Sequence, residues 1–377
     1  MLPKLILDFF LILLYIYICI FIVQLYFLIV YFYKLYVHKD EVNNSLDSFS
    51  EGVSVIICAK NEEAKLESLI ESFLSQKYHN FELIIVDDQS NDQSRFILKE
   101  YETRYPKLKV VIIEPHIKSP LGKKFALTMG IKTAKYKYLL LSDADCIPKS
   151  KKWLSYMSSN FSKKEVILGL SIFKKSPGLL NQFIRFDEFN VNLQYLSYAL
   201  CGLPYMGVGR NLAYKKKLFF NVKGFASHIQ IASGDDDLFI QQIANKDNVS
   251  IQIHPESIIE SIPKSTLSSW ISQKKRHFST SKKYKLKYKF LLLLWSISNF
   301  LFWISSVLLL IFSKYILIIL SIFIFRIVLC YILYYRIMKK LHVFDMYIFF
   351  PLLEFVNIFL QLFFVLLKPK NPEGNWS

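Results

Sequence analysis

The stretch VSVIICAKNEEAKLESLIESFLSQKYHNFELIIVDD, Val53 to Asp88, decides the fold class. It opens on VSVIIC, a short apolar run typical of a strand buried on both faces. Apolar residues then recur with a helical period at Leu66, Leu69, Ile70, Phe73 and Leu74, and FELIIVDD reads as a second buried strand. Working outward, residues 92–105 carry a helical pattern and LKVVIIE makes a third strand. GKKFALTMGIKTA reads as a helix and YLLLSD, Tyr138 to Asp143, as a fourth strand. Strand and helix alternating in this way predict an α/β fold, with a mostly parallel sheet and helices on both faces.

Ligands of such sheets bind beyond the carboxyl ends of the strands. The first strand ends at Ala59, Lys60, Asn61 and Glu62, the second at Asp87 and Asp88, and the fourth at Asp143 and Asp145. Five carboxylates on one rim repel one another and raise each other's pKa unless a cation is present. A hard divalent ion, Mg²⁺ or Mn²⁺, suits oxygen ligands and takes further oxygens from a substrate phosphate. A single acid in such a place can equally be a helix cap, as Asp92 before SRFILKE or Ser150 before KKWLSYM would be. Taken alone, Asp87 or Asp143 is as readily a cap as a functional group; the convergence favours function.

After the fourth strand the order changes. LLNQFIRFDEFNVNLQYLSYAL, Leu179 to Leu200, reads as a long helix, with core packing its ordinary role and the membrane surface the alternative. GLPYMGVGRNLAY follows, and its glycines let backbone approach a ligand closely. SGDDDLF then sets three acids, Asp235, Asp236 and Asp237, at the mouth of a helix. Capping explains one or two of them, so the third is a candidate base.

Hydrophobic residues make up 53% of the 377, and they are not spread evenly. Apolar runs predict membrane helices over residues 5–34, 290–312, 315–337 and 346–367, around a soluble domain at 50–265. The first run is too long for a cleaved signal peptide and has no small-residue cleavage site. The net charge of +17 is concentrated beside these runs, above all in the basic segment 266–289, where Lys274, Lys275, Arg276, Lys282, Lys283, Lys285, Lys287 and Lys289 occur without an acid after Lys274. That placement favours anionic membrane lipid over nucleic acid as a partner. The positive-inside rule puts the soluble domain in the cytoplasm of a multi-pass membrane protein, with a bacterial inner membrane expected; the C-terminal tail would then lie outside despite Lys368 and Lys370, which counts against the last span. Five cysteines lack paired or metal-ligand spacing, as expected for reduced structural thiols. Within the third span lies Arg326, and within the fourth Glu354 with Asn357 and Gln361 on one face. Antiparallel packing would bring Arg326 and Glu354 to one depth, as an ion pair or beside a lipid-acceptor groove.

These pieces, in this order over about Val53 to His277, resemble glycosyltransferase family 2 in its membrane-bound branch. VSVIICAKNEE resembles the family's first nucleotide-binding strand and turn, and VDDQSND its VDDxSxD element. LGKKFAL is similar to its GKxxAL segment, SDADC to its D-x-D metal motif, and GVGRNLAY to its acceptor-side G-x-G-x-N-x-A stretch. SGDDDL resembles the G-E-D-x-D-L element, one residue short in register, and SSWISQKKRHFS the segment carrying Q-x-x-R-W. The resemblance implies a Rossmann-like GT-A domain that moves a sugar, with inversion, from a nucleotide-sugar donor of the UDP type to a lipid or glycan acceptor.

It further implies roles residue by residue. Ala59, Lys60, Glu62, Asp88, Lys123, Asp143, Gln273 and Arg276 would bind the nucleotide sugar, and Asp143 and Asp145 the Mg²⁺ or Mn²⁺. Asp236 is the best match for the general base, with Asp235 and Asp237 as alternatives. Gly207, Gly209, Asn211 and His277 would lie on the acceptor side. His277 stands where polymerising members carry Trp, which sets single transfer against a processive polysaccharide synthase. Four spans are few for a polysaccharide channel unless a homo-oligomer multiplies them. A non-catalytic nucleotide-sugar-binding membrane protein is the reading from another class.

Overall fold

A computed structural model of the chain describes residues 2–39, 49–114, 122–231 and 233–366. Lys368 and Lys370, and Leu121 of the LGKKFAL segment, lie outside them. The opening strand–helix–strand unit folds as its pattern dictates. β1 (Val53–Ala59) is buried along its length, the helix Glu63–Leu74 turns Leu66, Leu69, Ile70 and Phe73 inward, and β2 (Phe81–Asp88) runs parallel to β1. The helix Ser94–Arg104 leads to β3 (Leu108–Ile113), parallel to β2. The helix Lys123–Thr133 leads to β4 (Tyr138–Asp143), parallel to β1.

Six shorter strands follow: β5 (Cys146–Pro148), β6 (Val166–Gly169), β7 (Ser171–Phe173), β8 (Leu212–Lys215), β9 (Val249–Gln252) and β10 (Ile259–Ser261). The main sheet has the order β3-β2-β1-β4-β8-β6-β9, with β8 antiparallel to both β4 and β6. β5, β10 and β7 make a second small sheet. Sequence reading misses that sheet because strands of three residues are too short to show a period.

Alternate residues of the central strands face opposite cores. Val55, Ile57, Leu83, Ile85 and Leu140 meet the helix Glu63–Leu74 on one face. Ile56, Cys58, Ile84, Val86, Leu139 and Leu141 meet the helices Lys123–Thr133 and Leu179–Leu200 on the other. Gly130 lets the first of these helices lie close, since a Cβ there would stand 2.6 Å from Ile56 Cγ2. This second core also takes in Phe27, Phe32, Trp295, Tyr334 and Met338 from the apolar helices. Leu179–Leu200 thus does the core packing expected of it, and it joins the sheet to the membrane-side helices.

Among the described residues three helices are long and apolar enough to cross a bilayer: Phe10–Val37, Leu286–Phe312 and Ile316–Lys340. The first includes a π-helical stretch, Phe27–Phe32. The fourth expected span is shorter than its apolar run suggested. A 3₁₀ turn occupies Phe344–Met346, and the helix Phe350–Leu366 has 17 residues. At the α-helical rise that is about 25 Å, against about 30 Å for a hydrocarbon core.

Polar groups bind the four helices together. Arg326, fully buried, donates to Glu354 at 2.5 and 2.7 Å, to Asn299 at 3.1 Å and to Gln24 at 3.3 Å. Trp303 Nε1 donates to the same carboxylate at 3.3 Å, and Gln24 to Ser298 at 2.7 Å. Of the two roles open to Arg326 and Glu354, the ion pair is the one observed. Two further clasps follow, the first tying the long helix to this bundle and the second tying the first apolar helix to the third. Arg185 on the long helix makes a bidentate pair with Asp345, at 2.7 Å on both arms. Lys340 Nζ donates to the carbonyls of Leu35, Tyr36 and His38 at 2.8, 2.7 and 2.6 Å.

Candidate active site

Strand register brings the predicted acids level with one another. Ala59 pairs with Asp87 and Cys58 with Asp143, so the carboxyl ends of β1, β2 and β4 form one rim. The loops after β1 and β2 are knitted together there. Asn61 and Gln89 adopt left-handed backbone, at φ 54 and 59. Ser90 Oγ accepts from Asn61 N–H at 2.9 Å, and Asn61 Oδ1 from Asn91 N–H at 2.8 Å. Asp92 caps as expected, and it caps two helices: its carboxylate accepts from Ser94 N–H at 3.0 Å and Glu63 N–H at 3.1 Å. Glu62 pairs with Lys65 at 2.8 Å, Lys60 is half-buried and Ala59 is buried. Asp87 and Asp88 are both buried, and burial raises the Asp87 carboxyl above its ordinary range.

Lys123 is the hub of the rim. Its ammonium lies 2.6 Å from Asp143 Oδ1 and 3.3 Å from Asp235 Oδ2. Burial opposes its charge, but Asp143 and Asp235 outweigh that and hold it well above the ordinary lysine value. The acid trio reaches this point through Gly234, whose φ of +97 an L side chain rarely adopts; a Cβ there would lie 2.7 Å from Leu238 Cδ1.

Three neighbouring carboxylates have three different surroundings. Asp235 is buried, which alone would raise it, but Lys123 holds it below the usual carboxylate range. Asp237 accepts from Tyr284 Oη–H at 2.6 Å and from Leu238 N–H at 2.7 Å, and burial still raises it. Asp236 accepts from Gly209 N–H at 2.9 Å and Asp237 N–H at 2.7 Å. Burial, with Asp235 and Asp237 on either side, pushes Asp236 up to about 7. Asp236 is also the most accessible of the three.

The GVGRNLAY stretch faces this trio. Gly209 supplies the N–H to Asp236, and Gly207 is buried where a Cβ would stand 3.0 Å from Leu212 Cδ1. Asn211 is fully buried: its amide donates to Leu170 O and Ser257 O at 2.7 and 2.9 Å, and its oxygen accepts from Trp153 Nε1 at 3.1 Å. Those bonds make Asn211 a brace between strands, with no amide hydrogen left for an acceptor. Arg210, between them, pairs with Glu188 and lies 4.5 Å over the Phe173 ring. Gln273, Arg276 and His277 sit on the helix Leu267–Ser281. Ser233 Oγ donates to Arg276 O at 3.3 Å, which ties this helix to the acid loop. Lys274 pairs with Asp187 of the long helix, and His277 is exposed.

Sequence reasoning missed Lys124, next to the singled-out Lys123. Lys124 is buried, and its ammonium donates to His228 O at 2.6 Å and Ile231 O at 2.7 Å, in the loop before the acid trio. Burial lowers its pKa to about 8. It also missed Tyr284; a buried Tyr after a basic run has no pattern that announces an acid partner.

Among the described residues no group of three or more His, Cys, Asp or Glu side chains gathers to hold a metal ion. Asp143 and Asp145, both half-buried at the end of β4, offer carboxylate oxygens only. Cys146 Sγ–H donates to Asp145 at 3.3 Å and burial raises that thiol, so it is no ligand for a hard ion. Two carboxylates fit a Mg²⁺- or Mn²⁺-type ion that draws its remaining oxygens from water and a phosphate.

Residues 54–222 match the family model described as Glycosyl transferase family 2. A poly-beta-1,6-N-acetyl-D-glucosamine synthase of Staphylococcus epidermidis is 34% identical over 97 residues, 26% of this chain and 22% of that protein. Glycosyltransferase GlyG of Streptococcus pneumoniae is 34% identical over 100 residues, 26% of this chain and 32% of that protein. The chain thus matches less than a third of the length of either relative. Among solved structures, the mannosyltransferase PcManGT from Pyrobaculum calidifontis, in complex with GDP-Man and Mn²⁺, superimposes with a TM-score of 0.58 at 16% identity, covering 93% of this chain and 99% of that one. That likeness concerns the fold, a GT-A-type sheet carried with apolar helices. Over residues 54–222, then, the chain is similar to glycosyl transferase family 2, and its sheet has the fold of a GT-A glycosyltransferase.

Proposed function

We propose that the protein is an inverting glycosyltransferase. It moves a sugar from a nucleotide-diphosphate donor, of the UDP type, to a hydroxyl of a lipid or glycan acceptor held at the membrane. The observation that carries this reading is the bridge made by Lys123 between Asp143 and Asp235. One side chain joins the rim where a donor's diphosphate would lie to the loop that carries Asp236.

The division of labour follows from the charges. Asp236, its pKa near neutrality, takes the proton from the acceptor hydroxyl as that oxygen attacks the sugar. Gly209 N–H and Asp237 N–H fix the Asp236 carboxylate. Lys123, with Arg276 from the Q-x-x-R helix, faces the negative charge that develops on the departing diphosphate. Asp88, Ala59, Lys60, Glu62 and Gln273 line the nucleotide side. Asp143 and Asp145 would hold a Mg²⁺ or Mn²⁺, which neutralises the leaving diphosphate when bound. Gly207, Gly209 and His277 shape the acceptor side, with Asn211 holding that wall in place. The domain spans about 50–265 and faces the cytoplasm, with the basic segment 266–289 at the membrane surface of a multi-pass inner-membrane protein.

The test is a donor screen on purified membranes, reading metal-dependent nucleotide release with lipid extract as acceptor. Release with a UDP-sugar that stops on chelation supports the proposal; binding of donors without release under every acceptor sinks it. The polysaccharide-synthase name of the Staphylococcus epidermidis relative favours a second reading, processive synthesis. Product length from labelled donor separates the two: one added sugar, or a ladder.

A further inference from the structure

The loop at Ala226–Ile231, the helix Asp237–Ile243 and the basic segment ahead of Leu286 enclose a cavity of about 450 Å³. Its polar walls include Ser227, His228, Gln241, Gln242, Lys283 and Lys285; among the described residues no acid lines it. Two of these residues are more than nine-tenths buried: Gln241 Nε2 has no hydrogen-bond partner among the described residues, and His228 Nε2 makes no well-formed bond, its ring only approaching the Gly234 backbone. A buried donor left unmatched is rare in folded proteins and calls for a ligand or water.

Both nitrogens are donors. Gln242 Nε2 lies 3.0 Å from His228 Nδ1, with Ser227 Oγ also 2.9 Å away. An amide N–H₂ can only donate, so Nδ1 accepts and the ring proton resides on Nε2. Gln241 keeps its amide hydrogens because its oxygen is the one engaged, accepting from Lys285 N–H at 3.0 Å. Lys285 Nζ is bound to Gln241 O at 2.5 Å, whereas Lys283 is exposed and lends its charge to the cavity. The apolar helix Leu286–Phe312 starts one residue after Lys285, so the cavity lies where lipid headgroups meet the protein.

We propose that this cavity binds a phosphate group, offered by an anionic lipid headgroup or as free phosphate. Imidazole and amide N–H groups with one ammonium are the donors such an anion takes. The walls also carry consequence for the acid loop: His228 O and Ile231 O are the two acceptors of Lys124, so a bound phosphate braces the segment leading to Gly234. This site is argued from its own residues and does not depend on the glycosyl-transfer reading.

The test uses the full chain in neutral detergent, with thermal unfolding and equilibrium binding read against three additions. These are phosphatidylcholine, phosphatidylcholine mixed with phosphatidylglycerol, and inorganic phosphate. Phosphatidylglycerol should stabilise the protein where phosphatidylcholine does not. Lys283→Ala and Gln242→Leu alter exposed side chains, so the fold is kept, and each should weaken that binding, the lysine variant about fivefold. The double variant Lys287→Ala/Lys289→Ala, in the same basic run but outside the cavity, should keep most of it. Competition by inorganic phosphate would make the free anion a ligand; retention of phosphatidylglycerol in its presence would assign the lipid headgroup. The proposal is overturned if neither addition binds, if both cavity variants bind like the parent, or if the Lys287/Lys289 variant loses as much as they do.

Discussion

Lys123 stands between Asp143 and Asp235, its ammonium 2.6 Å from one carboxylate and 3.3 Å from the other, so the end of β4 and the acid loop share one cation. With Asp235 neutralised by that lysine and Asp237 tied to Tyr284, Asp236 is left as the acid whose proton is easily exchanged near neutral pH.

Asp236→Asn should therefore abolish transfer, by about 10²- to 10⁴-fold, while donor binding stays near the parent value. Radiolabel transfer read beside donor titration checks both halves. The same residue sets a pH limb. A base must be deprotonated, and burial with its flanking acids raises Asp236 to about 7, so kcat/KM should fall as pH drops through about 7. A limb centred near an ordinary carboxylate value would remove Asp236 from the role.

Asp145→Ala should lose most metal-dependent donor binding, because of the two acids at the end of β4 only Asp143 then remains, and Lys123 already engages one of its oxygens. Chelation of the parent should have the same effect, reversed by Mg²⁺ or Mn²⁺ but not by Ca²⁺, which takes more and longer oxygen contacts. Calorimetric donor titration with and without chelator tests it. Undiminished binding in the variant would count against a metal at this position.

Arg326→Ala should destabilise the helix bundle by about 3–5 kcal/mol, since it strands the Glu354 carboxylate among buried groups. The reversal Arg326→Glu/Glu354→Arg should recover part of what either single swap loses. Detergent-solubilised unfolding curves of all three variants measure the coupling, and no recovery in the double variant would deny it.

The Arg185–Asp345 clasp should show in acid. The paired Arg185 guanidinium holds Asp345 at about 2, below the ordinary carboxylate value of 3.8. A depressed folded pKa contributes stability above the unfolded value that disappears as pH falls toward about 2. Asp345→Asn should thus unfold a few degrees earlier than the parent at pH 6, and the gap should close as pH is lowered below 3.8. A gap independent of pH would mean the residue acts only through packing.

What the sequence determined by itself was local and periodic. The apolar runs of β1, β2 and β4 and the helical spacing of Leu66 to Phe73 each satisfy their own burial, so their pattern is legible before any tertiary contact forms. Parallel connection then forces the ends of those strands to one edge, which is why Asp88, Asp143 and Asp145 could be read as neighbours. The three long apolar helices were legible on the same ground, because a bilayer selects length and polarity alone.

Tertiary structure decided what depends on partners distant in the chain. The resemblance of SGDDDL favours Asp236 and leaves Asp235 and Asp237 open; what separates the three physically is Lys123, Gly209 and Tyr284, which lie 112, 27 and 47 residues from their acid partners. Asn211 matched a motif, yet its hydrogen bonds to Leu170, Ser257 and Trp153 make it a brace, a fact only packing supplies. The short strands β5, β7 and β10 exist because they pair with one another, and three residues carry too little pattern to announce it. Electrostatics in a folded interior depends on distance and burial, and neither is written in the order of residues along the chain.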